Sequence, residues 1–391
     1  MIKEIREKFN KEFSDEKYSK FIKDVWKTTN GEVDFRINET PLFIDSNLNN
    51  KLIEASESIA AQLRTKEFTA ASLKAVPEKY NLPNEDNHPI FLQIDFAIAE
   101  NDNGELIPQL IELQGFPSLY AFQAFLGNKI KEHFSIAKPF TNYYNNYNEE
   151  KYLELFSQAV IKDKNKENVI LLEINPDKQK TRIDFYLTKE YLGIDSVCIS
   201  GIIQRGNRLF YKKNNLEIPI ERIYNRVIFD ELENKKLDYN FNFKDDLQVE
   251  WAGHPNWFFR ISKYSLPYIK SKFAPSCFFL NDLNHYPDDL ENYVLKPLYS
   301  FAGSGVIIDV TKEILSSIKD PQNYILQKKV NYAPLIKTPD GFAKAEVRMM
   351  FLWIDEPILV NNLLRVSKGK MMGVDYNKNQ TWIGASIAFH E

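Results

Sequence analysis

Hydrophobic positions recur at helical spacing through the first 75 residues, where Leu52, Ile53, Ser56, Ile59, Ala60 and Leu63 mark one face downstream of an Asp45-Ser46 cap. From Pro89 the period changes. Ile90 to Ala99 is an apolar run broken by one acid, Asp95, and Leu106 to Leu113 is a second such run. The polar stretch Glu100-Asn101-Asp102-Asn103-Gly104 between them predicts an antiparallel hairpin, because Asn-Gly favours the turn that joins two twisted strands. Tyr143 to Glu150 is polar and reads as a linker or cap. A strand at Val169–Ile174, a helix around Phe185–Leu192, a strand near Ser196–Ile202 and a hairpin at Arg208–Ile218 predict a βαβ-type unit. In the last third, a helix is predicted over Phe259–Lys272. Strands are predicted at 293–298, 305–310, 324–330, 345–353 and 358–366. The division expected from this is 1–150, 151–250 and 251–391, an α/β chain with mixed sheets and flanking helices.

Composition narrows the class. Hydrophobic residues are 43% and charged residues 27% of 391, enough for real cores in two or three domains. A net charge of −4 gives no basic face for nucleic acid, and no apolar run is long enough for a membrane span. Two cysteines, Cys198 and Cys277, and five scattered histidines exclude a cysteine zinc site and give no HExxH spacing. The N-terminus lacks an uninterrupted apolar core, so a cytoplasmic protein is expected.

Chemistry concentrates in a few segments. Tyr293-Val-Leu-Lys296-Pro is followed by a small-residue loop holding Ser300, Gly303, Ser304 and Gly305. Glycines bring backbone N–H groups close to an anion, and Lys296 offers a point charge to phosphates. The lysine precedes the glycines, so this is not a Walker A loop. A bare β-hairpin turn has equal standing on this segment alone. The strand Tyr324-Ile-Leu-Gln327-Lys328-Lys329-Val330 ends in a polar cluster suited to a purine edge. Alternation puts Glu346 and Arg348 on one strand face, a carboxylate for Mg²⁺ beside an arginine for phosphate or carboxylate, and Asn361-Asn362-Leu-Leu-Arg365 follows. Asp95 and Glu112 interrupt apolar runs, and buried carboxylates need a cation or hydrogen bonds.

These segments, in this order, resemble the ATP-grasp superfamily over roughly Trp251 to Phe389. The strand carrying Asp95 and the segment Glu112-Leu-Gln114-Gly-Phe-Pro-Ser118 lie upstream instead of at the end. That order resembles the circularly permuted arrangement of eukaryotic-type glutathione synthetases, and is similar to glutathionylspermidine synthetases. The resemblance implies ATP and Mg²⁺, with ATP held by Lys296, Ser300, Gly303, Ser304, Gly305, Gln327, Lys328, Lys329 and Val330. Lys263 stands as the family's first lysine or as a helix-surface lysine. The metal set is Glu112 and Gln114, with Glu346 proposed as a further carboxylate. Substrate contacts are Asp95, Ser118, Arg226, Asn362 and Arg365, and catalytic groups are Arg365, Arg348 and Lys296. Arg226 and Arg365 read equally well as surface-pairing residues.

Departures from the family pattern stand beside it. Gln114 replaces an asparagine, no acid follows Pro297, Gln93 stands where an arginine is usual, and serines after Glu112 are reduced to Ser118. Glu173-Ile-Asn175 fits the metal motif literally, but Glu112 is preferred for its adjacent hairpin. The expected function is an ATP- and Mg²⁺-dependent carboxylate–amine ligase acting through an acylphosphate on an amino acid or small peptide. A phosphotransferase and a degenerate nucleotide-binding protein are the alternatives. Small carboxylates and amines are the expected partners, and the relatives are often homodimers.

Overall fold

The computed structural model describes residues 1–29, 31, 33–299, 305–370, 372, 377 and 379–391. Its framework is a large antiparallel sheet, a parallel sheet and a small antiparallel sheet. The large sheet runs in the order Gly384–Ser386, Pro357–Ser367, Gly341–Trp353, Phe91–Glu100, Leu106–Gln114, with Ile336–Thr338 paired to one end of the 341–353 strand. The predicted hairpin therefore sits in one sheet with strands from the far end of the chain, and Asp95 pairs with Arg348 in register.

The hairpin forms for the reason its sequence gives. The Asn101 side-chain oxygen accepts from the amides of Asn103 and Glu105 at 3.0 and 2.9 Å, and Gly104 takes the left-handed φ of +77° that closes the turn. Ser46–Leu63 is a helix capped by Asp45, whose carboxylate accepts from the Leu48 amide at 2.9 Å. Its Leu48, Leu52, Ala55, Ile59 and Leu63 share one continuous core with Leu92, Ile94 and Phe96 of the large sheet and Val347 and Met349 opposite them.

The parallel sheet has the order Glu250–Ala252, Arg222–Asn225, Val169–Glu173, Asp195–Cys198, with the predicted helix present as Arg182–Leu192. The small sheet is Cys277–Phe279, Tyr324–Lys328, Tyr293–Pro297. A helix at Tyr120–His133, absent from the sequence reading, is buried along much of its length.

Two expectations fail for local reasons. The helix over 259–272 is instead a short helix, Asn256–Arg260, and a 3-10 turn, Lys263–Tyr268. Ser262 caps that turn, and Pro267 inside it cannot donate to a longer helix. The strand at 305–310 reduces to one bridge, Leu295 with Ile307. Close approach finishes the assembly. The Gly115 amide donates to the Ile261 carbonyl at 2.8 Å, and a Cβ on Gly115 would stand 2.5 Å from the Trp257 carbonyl, so no side chain fits where segment 257–263 crosses the sheet edge.

Candidate functional site

Strand register builds the site. Asp95 lies between Arg348 on one neighbouring strand and Glu112 on the other, Gln93 lies beside Gln114, and Glu346 lies beside Arg365. Alternate residues of a strand share a face, so these side chains occupy one side of the large sheet. Asp95 is fully buried and held bidentately, Arg348 Nε to Oδ1 at 2.6 Å and Nη2 to Oδ2 at 2.7 Å. The third nitrogen of Arg348 donates to Gln93 Oε1 at 3.0 Å, and the Gln93 amide donates to the Ser118 carbonyl at 2.8 Å. Arg365 Nη2 bridges Asp95 Oδ2 and Glu346 Oε1, and the Tyr332 hydroxyl donates to Glu346 Oε2 at 2.8 Å.

The small sheet meets this face at a bulge. Pairing passes from Asp95 with Glu112 to Phe96 with Leu110, which leaves Ile111 as the extra residue. Lys296 Nζ donates to the Ile111 carbonyl at 3.0 Å, and Gln327 Nε2 donates to the Leu110 carbonyl at 3.2 Å. The turn that replaces the expected helix aims Lys263 inward, its Nζ 3.0 Å from Glu112 Oε1. Lys263 is buried, so the helix-surface reading of it does not hold.

Charge then sets protonation. Burial alone would raise the Glu112 carboxyl, but Lys263, Lys296 and Arg365 together hold it down at about 2. Burial lowers the Lys296 ammonium, with Glu112 opposing and Lys263 reinforcing. Glu346 is raised, first by burial and then by nearby Asp95, against the pull of Arg365. Burial and the Glu346 carboxylate push the Tyr332 phenol well up.

Glu112, Gln114, Ser262 and Lys263 line an open pocket with Phe116, Phe258 and Tyr299, about 380 Å³ of space including part of the solvent mouth. Glu112 and Gln114 are half-buried there, two residues apart on one strand. Oxygen donors of that kind, completed by phosphate oxygens, fit one Mg²⁺. Glu346, expected as a further metal carboxylate, instead receives Arg365 on one oxygen and the Tyr332 hydroxyl on the other. Asp95, Glu112 and Glu346 do not converge on one point. Among the described residues the group of three such ligands within 4.8 Å is Asp24, Glu132 and His133, elsewhere, and there Asp24 is paired with Lys129.

Other predicted residues fall away from the cleft. Asn362 lies on the reverse face, where its amide joins the last strand, donating to the Ala388 carbonyl and accepting from the Ala388 amide, each at 2.9 Å. Arg348 and Asp95, expected as a catalytic group and a substrate contact, are buried against each other as an ion pair. Hinge amides are engaged as well: Lys328 N–H donates to Ser276 at 2.8 Å and Lys329 N–H to Asn292 at 2.7 Å, so neither faces a purine. The Lys328 side chain is exposed. Ser300, Gly303 and Ser304 lie outside the described residues, while Gly305 packs near Pro297 with φ +71°.

The parallel sheet offers a second candidate place for a ligand. Chain order changes direction between the 169–173 and 222–225 strands, and ligands of open α/β sheets bind beyond the strand ends at such a point. Glu173 ends one strand and Arg226 follows the other. Arg226 is buried between the rings of Phe116 and Phe185, 4.9 and 5.5 Å from its guanidinium carbon, and its Nε and Nη1 have no partner among the described residues. Burial pushes Glu173 up to about 7, with Arg226 opposing. Sequence reasoning set Glu173 aside as a false metal motif, and no local signal placed it beside Arg226. Tyr332 was missed too, and Gln93 was noted only as a departure from the family pattern, although it stands two residues before Asp95 and so shares its face.

The Glu173 shift carries a stability consequence. The unfolded chain loses this proton near 4.5 and the folded chain near 7, so the folded state holds more protons between them and stability falls as pH rises through that window. Glu173→Gln is expected to remove about 2–3 kcal/mol of that decline. Thermal melts at pH 5 and pH 8 check it: wild type loses melting temperature relative to the variant on going to pH 8.

This architecture is a glutathione synthetase-like fold. Comparison of structures matches the chain to a glutathione synthetase-like effector, GSS30, from Globodera pallida in its apo form. The match has a TM-score of 0.59 and 9% identity, and covers 97% of this chain and 98% of that one. By sequence, no family model and no curated protein matches. Among the described residues no helix is long and apolar enough to cross a membrane.

Proposed function

We propose that the chain is an ATP-dependent carboxylate–amine ligase with the permuted ATP-grasp arrangement. The observation that carries this is the meeting of Glu112, from the early hairpin, with Lys263, from the last third of the chain, at one open pocket, while Lys296 donates to the neighbouring Ile111 carbonyl and helps hold the Glu112 carboxyl down. In this reading Lys296 and Lys263 hold phosphate oxygens, and Glu112 with Gln114 holds one Mg²⁺. An ion held there would neutralise charge developing on the transferred phosphoryl group. Arg365, one-third exposed, faces the reacting phosphate. The substrate carboxylate becomes an acylphosphate, the amine attacks its carbonyl carbon, and phosphate leaves. The place beside Arg226 and Glu173 receives the amino acid or peptide partner, its carboxylate on the unpartnered guanidinium N–H groups.

An ADP-release screen against paired amino acids, small peptides and polyamines tests the reading. Hydroxylamine should divert turnover to an acyl hydroxamate, which a phosphotransferase would not form. Glu112→Ala is expected to reduce turnover by about 100-fold or more while nucleotide affinity falls less than about tenfold. Equal losses in both would refute a metal-holding role.

A second reading, nucleotide binding without turnover, is favoured by the commitment of Asp95 and Glu346 to arginines. It predicts ATP binding and no ADP release with any substrate pair.

A further inference from the structure

We infer that Glu346 and Tyr332 are positioning residues that hold Arg365 toward bound polyphosphate, and that the cleft takes a single divalent cation, on Glu112. The inference rests on the nucleotide-binding reading above and specifies how its charge is arranged.

Glu346 is buried, with one oxygen on Arg365 Nη2 and the other receiving the Tyr332 hydroxyl at 2.8 Å. A divalent cation on this carboxylate would stand against the guanidinium charge that already pairs with it, and would bind there only by displacing that guanidinium. The side chains of Asp95 and Glu346 are 0% and 2% exposed while that of Arg365 is 32% exposed. The acids therefore stand behind the guanidinium, and its charge stands forward. Register sets Arg365 on the same side of the sheet as Glu112, and its charge helps hold the Glu112 carboxyl down.

Tyr332 is itself fixed. The segment leading from the small sheet to the large one forms a bridge between Tyr332 and Ala99, and the Ala333 amide donates to the Ile98 carbonyl at 2.8 Å. A phenol held by the backbone on both sides orients a carboxylate, and that carboxylate orients an arginine. Among the described residues, Glu112 is the acid that lines the pocket, with Gln114 beside it.

The experiment uses the full chain with the non-hydrolysable analogue AMPPNP. Bound Mn²⁺ is counted by electron paramagnetic resonance, and AMPPNP affinity is measured with Mn²⁺ and with EDTA. Wild type and Glu346→Gln are each expected to hold one Mn²⁺ per chain. Glu346→Ala should weaken AMPPNP by about tenfold equally with and without metal, and Glu346→Gln, whose amide oxygen still accepts from Arg365 while its NH2 donates to the Tyr332 hydroxyl oxygen, by less than about threefold. Tyr332→Phe should show a smaller loss of the same metal-independent kind, and covers the case in which the alanine variant fails to fold. Two Mn²⁺ in wild type, or a loss confined to the metal-containing arm in any Glu346 variant, overturns the inference and leaves nucleotide binding standing. Absence of AMPPNP binding by wild type removes both.

Discussion

Asp95→Ala is expected to destabilise the fold by about 3–5 kcal/mol, as breaking one side of a buried ion pair does. The change leaves Arg348, 7% exposed, and Arg365, 32% exposed, facing a gap, with Gln93 and Glu346 the remaining acceptors among the described residues. Chemical denaturation monitored by fluorescence and circular dichroism measures the loss. A second variant separates charge from packing: Asp95→Ala with Arg348→Met removes one stranded cation, and should recover at least about 1 kcal/mol relative to Asp95→Ala. A loss under about 1 kcal/mol for the single change would mean that water reaches these guanidinium groups, and that the buried network is weaker than its geometry indicates.

Lys296→Met carries the second large expectation, on binding. The ammonium is buried, donates to the bulge carbonyl of Ile111 at 3.0 Å and helps hold Glu112 ionised. Methionine keeps the length and apolar stem but removes the charge. Loss of one charged contact to phosphate, at about 1.5–3 kcal/mol, corresponds to roughly a 10- to 100-fold weaker AMPPNP complex by calorimetry. Lys296→Arg should not restore affinity, because the planar fork cannot enter a site shaped for a point donor between two strands. Affinity within about twofold of wild type in Lys296→Met would move the phosphates away from this strand.

Much of the scaffold was legible because its signals are local. Turn chemistry at Asn101–Gly104 fixed the hairpin, Asp45 fixed a helix start, and period-two alternation correctly put Glu346 and Arg348 on one face. The same parity argues against Asn362: three positions from Arg365 on one strand is an odd step, so the two cannot share a face, and the structure sets Asn362 on the reverse side. The failure over 259–272 was also local, since Ser262 and Pro267 stop a helix whatever the apolar spacing. What the sequence could not disclose is partnership. Asp95 and Arg348 are 253 residues apart, and nothing near either names the other. Acids that read as free ligands were already matched with bases from distant strands, which is why Glu346 looked like a metal ligand and behaves geometrically as a brace. Glu173 and Arg226, though not ion-paired, show the same limit: their adjacency follows from strand order, which periodicity does not encode.

The pairing of the 91–114 hairpin with the 341–353 strand has a consequence for biosynthesis. At about 5–20 residues per second, a ribosome needs roughly 10–50 s to add the 253 residues between Asp95 and Arg348. Throughout that interval a two-stranded ribbon with an apolar face and an unsatisfied edge waits for its neighbour, in the company of other nascent chains. Production yield of this protein should therefore depend on holding chaperones and on growth temperature more steeply than its final stability would indicate.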